Sequence, residues 1–130
     1  MTQNGRRKDE YLYADLTEKL IGFVFKIFKE MGYGHPEKIY QKCFESELLG
    51  AGLKYQREKY SKIKYDGEVV GRYFLDFLVE NTIAVEIKVR REIYENDWVQ
   101  LLNYLKARNL KVGLLLVFTK SKVIVKRLVN

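Results

Sequence analysis

Val112 to Phe118 reads Val-Gly-Leu-Leu-Leu-Val-Phe, and a strand formed from it is apolar on both faces. Strand side chains alternate between faces, so such a run is stable only where both faces are covered. The chain is therefore constrained to a layered α/β arrangement, with helices packed on a sheet in which this run lies next to the strand carrying Glu86.

The rest of the chain supplies those layers. Leu16, Leu20, Phe23, Val24, Ile27, Phe28 and Met31 recur at helical spacing and predict a core-facing helix over Tyr11 to Met31. Gly32-Tyr33-Gly34 ends it, and Pro36 suits the first turn of a second helix reaching to Leu49. Gly50-Ala51-Gly52 closes that helix. Strands are then expected over Tyr55 to Tyr65 and Val69 to Val79, joined by Asp66-Gly67, a strong hairpin sign. A third strand follows over Thr82 to Val89, then a helix over Asn96 to Arg108 whose packing stripe is Trp98, Leu101, Leu102 and Leu105. Val112 to Phe118 and the alternating Val123, Val125, Arg127 strand complete the order ααβββαββ, an α/β sandwich around a mixed sheet. Residues 1–10 are expected to be a flexible arm and 11–130 a single domain.

The polar residues on those strands carry the chemistry. Glu86 and Lys88 share one strand face about 6.7 Å apart, while Val85, Ile87 and Val89 point the other way. Asp76 and Glu86 are ten positions apart. A three-residue loop Glu80 to Thr82 would set them directly opposite in an antiparallel hairpin, roughly 4.5–5.5 Å apart at Cβ; a loop Val79 to Asn81 would set them diagonally on the same face. Two carboxylates that close raise each other's pKa unless a cation sits between them. Hard oxygen donors around a small site suit Mg²⁺ or Mn²⁺, and an adjacent ammonium can orient a water and stabilise charge on a phosphate oxygen. Phosphodiester hydrolysis is the reaction that uses this set. Taken alone, Glu-Ile-Lys is also what a solvated amphipathic strand carries.

Other residues have bland and functional readings side by side. Glu37 sits where the dipole of the second helix favours a carboxylate, with Tyr40 and Gln41 on the same face. Gln100 and Tyr104 lie one turn apart at the edge of the third helix, where a glutamine could hold a water or phosphate and the tyrosine could touch a nucleic-acid backbone. Cys43, the single cysteine, falls in an apolar helical pattern and excludes a disulfide framework or a cysteine-ligated cluster within one chain. His35, the single histidine, is assigned no role.

A net charge of +7 points towards an anionic partner, and the cluster Lys88-Val89-Arg90-Arg91 could hold a phosphate backbone across the proposed site. No run has the eighteen or so apolar residues of a membrane span, and Met1 to Glu10 is too polar for a secretory signal; a cytoplasmic protein is expected.

Gly34-His35-Pro36-Glu37-Lys38-Ile39-Tyr40 resembles the signature of the GxxExxY proteins, which belong to the PD-(D/E)xK nuclease superfamily. The resemblance continues through Asp76, Glu86-Ile87-Lys88 and Gln100-Leu101-Leu102-Asn103-Tyr104, the last similar to the Gln-xxx-Tyr element of RecB-like nucleases. Leu75 replaces the proline of the superfamily's name, a position that the superfamily varies. The resemblance implies a restriction-endonuclease-like core with a metal site at the mouth of the central hairpin. It implies Asp76 and Glu86 as Mg²⁺ ligands with the Ile87 carbonyl, Lys88 as the residue positioning water, Glu37 as a further ligand or water-holder, and Gln100 and Tyr104 at the rim. The expected function is a metal-dependent nuclease acting on DNA in repair, recombination or defence, with Tyr104, Arg90, Arg91 and Tyr40 as nucleic-acid contacts and a homodimer if both strands of a duplex are cut. The alternatives are a catalytically silent nucleic-acid-binding module and an interaction subunit that pairs through the edge strand Val123 to Leu128.

Overall fold

The structure is a computed structural model describing residues 2–130, with side chains from residue 13 onward. The arm expected over residues 1–10 lies outside the residues described at side-chain level. In chain order the elements are α1 (Thr2–Met31), α2 (Glu37–Gly50), β1 (Tyr55–Tyr65), β2 (Glu68–Val79), β3 (Ile83–Val89), α3 (Glu95–Arg108), β4 (Val112–Phe118) and β5 (Val123–Val129). The expected order ααβββαββ is the observed one, with ends moved by a residue at several boundaries and α1 beginning at Thr2 rather than Tyr11.

The five strands form one mixed sheet in the order β1-β2-β3-β4-β5. The hairpin pairs β1–β2, β2–β3 and β4–β5 are antiparallel, and β3–β4 is parallel. That one parallel pair follows from α3: a helix between two strands carries the chain back to the starting end, so the second strand runs with the first. Every residue of β4 is buried, as its two-faced apolar run requires.

The two faces of the sheet carry separate cores. On one face Phe77, Val79, Val85, Ile87, Leu114 and Leu116 meet Leu20, Val24 and Ile27 of α1 and Tyr40, Phe44 and Leu48 of α2. On the other Leu78, Ala84, Leu115 and Val117 meet Leu101, Tyr104 and Leu105 of α3. Gly113 lets α3 approach this closely, since a Cβ there would lie 3.2 Å from Leu101 Cδ2 and Leu105 Cδ1.

The four residues of the stripe expected for α3 pack in this core, but Tyr104, expected at the edge of the helix, is buried with them. Asp97 and Tyr104 are buried with Leu101 and Leu105, whereas Trp98 and Leu102 are half-buried at its flanks. Lys126 of β5 stands over the Trp98 ring with its Nζ 4.5 Å from the centroid. At the far end of the β1–β2 hairpin residues 62–70 are all exposed, so the hairpin projects beyond both helical layers.

Candidate active site

The β2–β3 turn fixes the register. Glu80 and Asn81 both take left-handed backbone conformations, with φ of 50° and 55°. The Thr82 N–H donates to the Val79 carbonyl at 3.0 Å. The rungs Val79↔Ile83, Leu78↔Ala84 and Phe77↔Val85 follow, which is the register of the Glu80 to Thr82 loop. Of the two hairpin loops compatible with the sequence, this one sets Asp76 opposite Glu86.

The next rung is not made by backbone groups. The Asp76 N–H donates to Glu86 Oε1 at 2.8 Å, and the Ile87 N–H donates to Asp76 Oδ2 at 2.7 Å. Each carboxylate thus satisfies a main-chain donor of the opposite strand where the ladder would have continued, so the strands part and the two acids fill the opening. One oxygen of each carboxylate is left outside these backbone bonds. Glu86 Oε2 lies 3.6 Å from Lys88 Nζ, with Glu86 almost fully buried and Lys88 about one-fifth exposed.

An irregularity in the neighbouring pair of strands aims Asp76 into this opening. Phe77 packs on the α1/α2 side of the sheet, but Leu75, two residues earlier, packs on the α3 side. The alternation of β2 therefore changes face at Asp76. On β1 the pairing passes from Arg57↔Phe77 to Lys59↔Leu75 and leaves out Glu58, whose φ is +51°. One residue on each strand is unpaired, so the register is retained while the faces exchange. Such a break re-aims a side chain at a cost in local strain of order 1–3 kcal/mol.

Electrostatics follow from burial. Both acids hold their protons well above the usual carboxylate range, Glu86 more strongly than Asp76. For Glu86 burial is the main cause and the charge of Asp76 the second; the Asp76 N–H, then Lys88, pull the other way. For Asp76 burial again leads, opposed by the Ile87 N–H, with Glu37 raising it and Lys88 and Arg57 lowering it. The site is a buried pair of acids short of positive charge.

Glu37 approaches from the other layer. It opens α2 immediately after Pro36, and its Oε1 accepts the Val89 N–H at 3.3 Å, tying the start of α2 to the end of β3. Among the described residues, no group of three or more His, Cys, Asp or Glu side chains forms a metal-sized cluster. The Glu37 carboxylate engages the β3 backbone, and its charge raises the proton affinity of the acid pair.

Of the expected nucleic-acid contacts, Tyr40 and Tyr104 are buried and Arg90 is paired with Asp97. Tyr40 is wholly buried; it stacks on Phe118 with ring centroids 4.2 Å apart, and its hydroxyl donates to the Gly32 carbonyl. That bond closes the α1–α2 turn, where Gly34 takes a φ of +112°. Tyr104 is 1% exposed in the α3 core, and its hydroxyl is buried without a hydrogen-bond partner. Arg90 spends its guanidinium on Asp97, with Nε–Oδ2 and Nη2–Oδ1 both 3.3 Å, clamping the exit of β3 to the first turn of α3. Arg91 is exposed. Gln100 is exposed on α3 and lines a cleft with Tyr73, Asn103 and Tyr104.

Sequence reasoning missed Arg57, Tyr73 and Asp97. Arg57 stands over the Phe77 ring at 4.6 Å and donates to Glu45 and Gln41 of α2 at 3.3 Å each. Its signal was its place two residues after Tyr55 on the inward parity of β1. Tyr73 is held neutral mainly by burial, then by the charges of Glu86 and Asp76. Nothing in its sequence neighbourhood marked it, because the change of face at Asp76 is a tertiary event.

A family model of the PD-(D/E)XK nuclease superfamily matches residues 14–128, a span that includes Glu37, the splayed hairpin and α3. The chain belongs to the PD-(D/E)XK nuclease superfamily. Among solved structures, this superfamily member is similar to the crystal structure of SSO0001, with 21% identity and a TM-score of 0.58 over 95% of this chain and 61% of that one. The likeness is one of fold, and the chain spans less than two thirds of that protein's length. No curated protein matches the chain. Among the described residues no helix is long and apolar enough to cross a membrane.

Proposed function

We propose that this PD-(D/E)XK protein is a metal-dependent nuclease that hydrolyses phosphodiester bonds in DNA, and that it falls in the GxxExxY group. The observation that carries this reading is the reciprocal bonding of Asp76 and Glu86, which holds two buried acids face to face with Lys88 beside one of them. The donor set fits a small hard cation. Mg²⁺ typically takes one or two carboxylates and fills its remaining positions with water and substrate phosphate, and two buried acids with raised proton affinity are stabilised by an added positive charge.

Asp76, Glu86 and the Ile87 carbonyl would hold Mg²⁺ or Mn²⁺. The bound ion would neutralise charge on the phosphate and polarise it. The chain's own residues do the rest. Lys88, anchored beside Glu86 Oε2, orients the attacking water and stabilises negative charge developing on phosphate oxygen. Glu37 keeps the end of β3 in register with α2 and presents its carboxylate to water near the pair. The GxxExxY assignment rests on how the motif works here: Gly34 permits the turn, Tyr40 locks it, and Glu37 is delivered to the end of β3.

The test incubates the protein with labelled single- and double-stranded DNA and RNA, in Mg²⁺, Mn²⁺ or chelator, beside Asp76→Ala and Lys88→Ala. The expected result is metal-dependent DNA cleavage by the parent chain alone. Equal cleavage by the parent and both variants would assign the activity to another site. Binding retained with no cleavage in either metal would leave a silent DNA-binding module.

A further inference from the structure

Two adjoining clefts run along β1 on the α3 side of the projecting hairpin and share Ser61, Lys62, Lys64 and Ala107. Their volumes are about 600 and about 450 Å³. Neither belongs to the acid pair, and neither was assigned a role as a whole by the family motifs. We infer that these clefts form a track for an unpaired DNA strand, leading it along the hairpin towards Asp76 and Glu86. The inference rests on the nuclease reading for its choice of DNA, and it adds the form of the substrate.

Charge selects an anion. Lys62, Lys64 and Arg72 line the smaller cleft with no acid among its lining residues. The larger one adds Arg57, Lys59 and Arg108 against the single acid Glu58. Lys62, Lys64 and Arg72 are exposed, so they can follow a phosphate backbone without giving up buried partners.

The remaining lining selects an unpaired strand. Tyr73, half-buried and packed on the buried Tyr104 ring with centroids 5.7 Å apart, sits in the smaller cleft with Ile63, Gln100 and Asn103. The Tyr73 ring and the exposed aliphatic Ile63 suit the face of a base, and two exposed amides suit its hydrogen-bonding edge. A paired base keeps its faces inside the stack and its edge in the partner strand; only an unpaired base offers both. A volume of about 450 Å³ is also in the range of a single small ligand rather than a double helix. Tyr73 connects the cleft to the chemistry, because it lies three residues before Asp76 on the same strand.

The experiment measures anisotropy of a labelled single-stranded DNA of about 12 nucleotides, a blunt duplex and an RNA of the same sequence, with the full chain in chelator so that no cleavage intervenes. Single-stranded DNA should bind at least about tenfold more tightly than the duplex. The double charge reversal Lys62→Glu with Lys64→Glu should weaken that binding about tenfold or more, and should reduce the slope of log affinity against log salt by roughly 1.4 through loss of two phosphate contacts. Asn103→Trp, which fills the cleft, should weaken single-strand binding while leaving duplex binding unchanged. Lys19→Glu with Lys42→Glu, on exposed positions of α1 and α2, should leave binding as it was. Duplex or RNA binding as tight as single-stranded DNA, or equal effects of the hairpin and control reversals, would overturn the inference. Loss of cleavage in Asp76→Ala with single-strand binding intact would separate this outcome from a failure of the nuclease reading.

Discussion

Asp76 and Glu86 each replace a missing backbone rung, and the proposed function also requires them to stay available for a cation. The bonds of 2.8 Å and 2.7 Å to the facing N–H groups fix both side chains before any ion arrives, so little ordering is left to be done on binding. Lys88→Ala should therefore lower cleavage about 10²–10³-fold while leaving the fold intact, because its ammonium serves developing charge. Circular dichroism beside the cleavage assay separates the two effects. Asp76→Asn removes a buried charge that desolvation disfavours and should raise the thermal midpoint of the metal-free protein at neutral pH, by an amount on the order of 1 kcal/mol, while abolishing cleavage. A lower midpoint in that variant would mean that the carboxylate bond to Ile87 outweighs the cost of burying the charge.

Elements matter here through how closely they approach one another. α3 lies on β4 over Gly113, whose missing Cβ would meet Leu101 and Leu105 at 3.2 Å. Gly113→Ala should cost about 1–3 kcal/mol by overpacking, read from denaturant unfolding. The α1–α2 turn depends on the Tyr40 hydroxyl, buried against the Gly32 carbonyl. Tyr40→Phe should cost about 1 kcal/mol and leave the carbonyl short of a donor. Because the turn also delivers Glu37 to Val89, activity should fall with it, whereas a merely structural tyrosine would move stability alone.

For the whole molecule, the raised proton affinities of Asp76 and Glu86 become a dependence of stability on pH. In the folded state both carboxyls bind protons more tightly than in the unfolded chain, so stability falls as pH rises. The loss begins as pH rises through the ordinary carboxylate range and continues until both folded-state carboxyls have ionised, past neutrality for Glu86. In chelator, the thermal midpoint should be higher at pH 5 than at pH 8, and saturating Mg²⁺ should raise it most at pH 8. A midpoint insensitive to Mg²⁺ at pH 8 would remove the cation from the site.

The sequence by itself determined the order of elements, because periodicity, Gly32-Tyr33-Gly34, Asp66-Gly67 and the two-faced apolar run Val112 to Phe118 are local properties of the chain. It also placed Asp76 and Glu86 within reach of each other, leaving two hairpin registers between which the Glu80–Thr82 turn decided. What only the tertiary structure decided depends on contacts between distant segments. The change of face at Asp76 needs Glu58 of another strand, the burial of Tyr40 and Tyr104 needs the layers packed against them, and the engagement of Arg90 needs Asp97 seven positions on. Glu37 likewise meets β3 across 52 positions. A pattern of residue types fixes which side chains a strand or helix can offer, but burial and pairing are set only when the layers close.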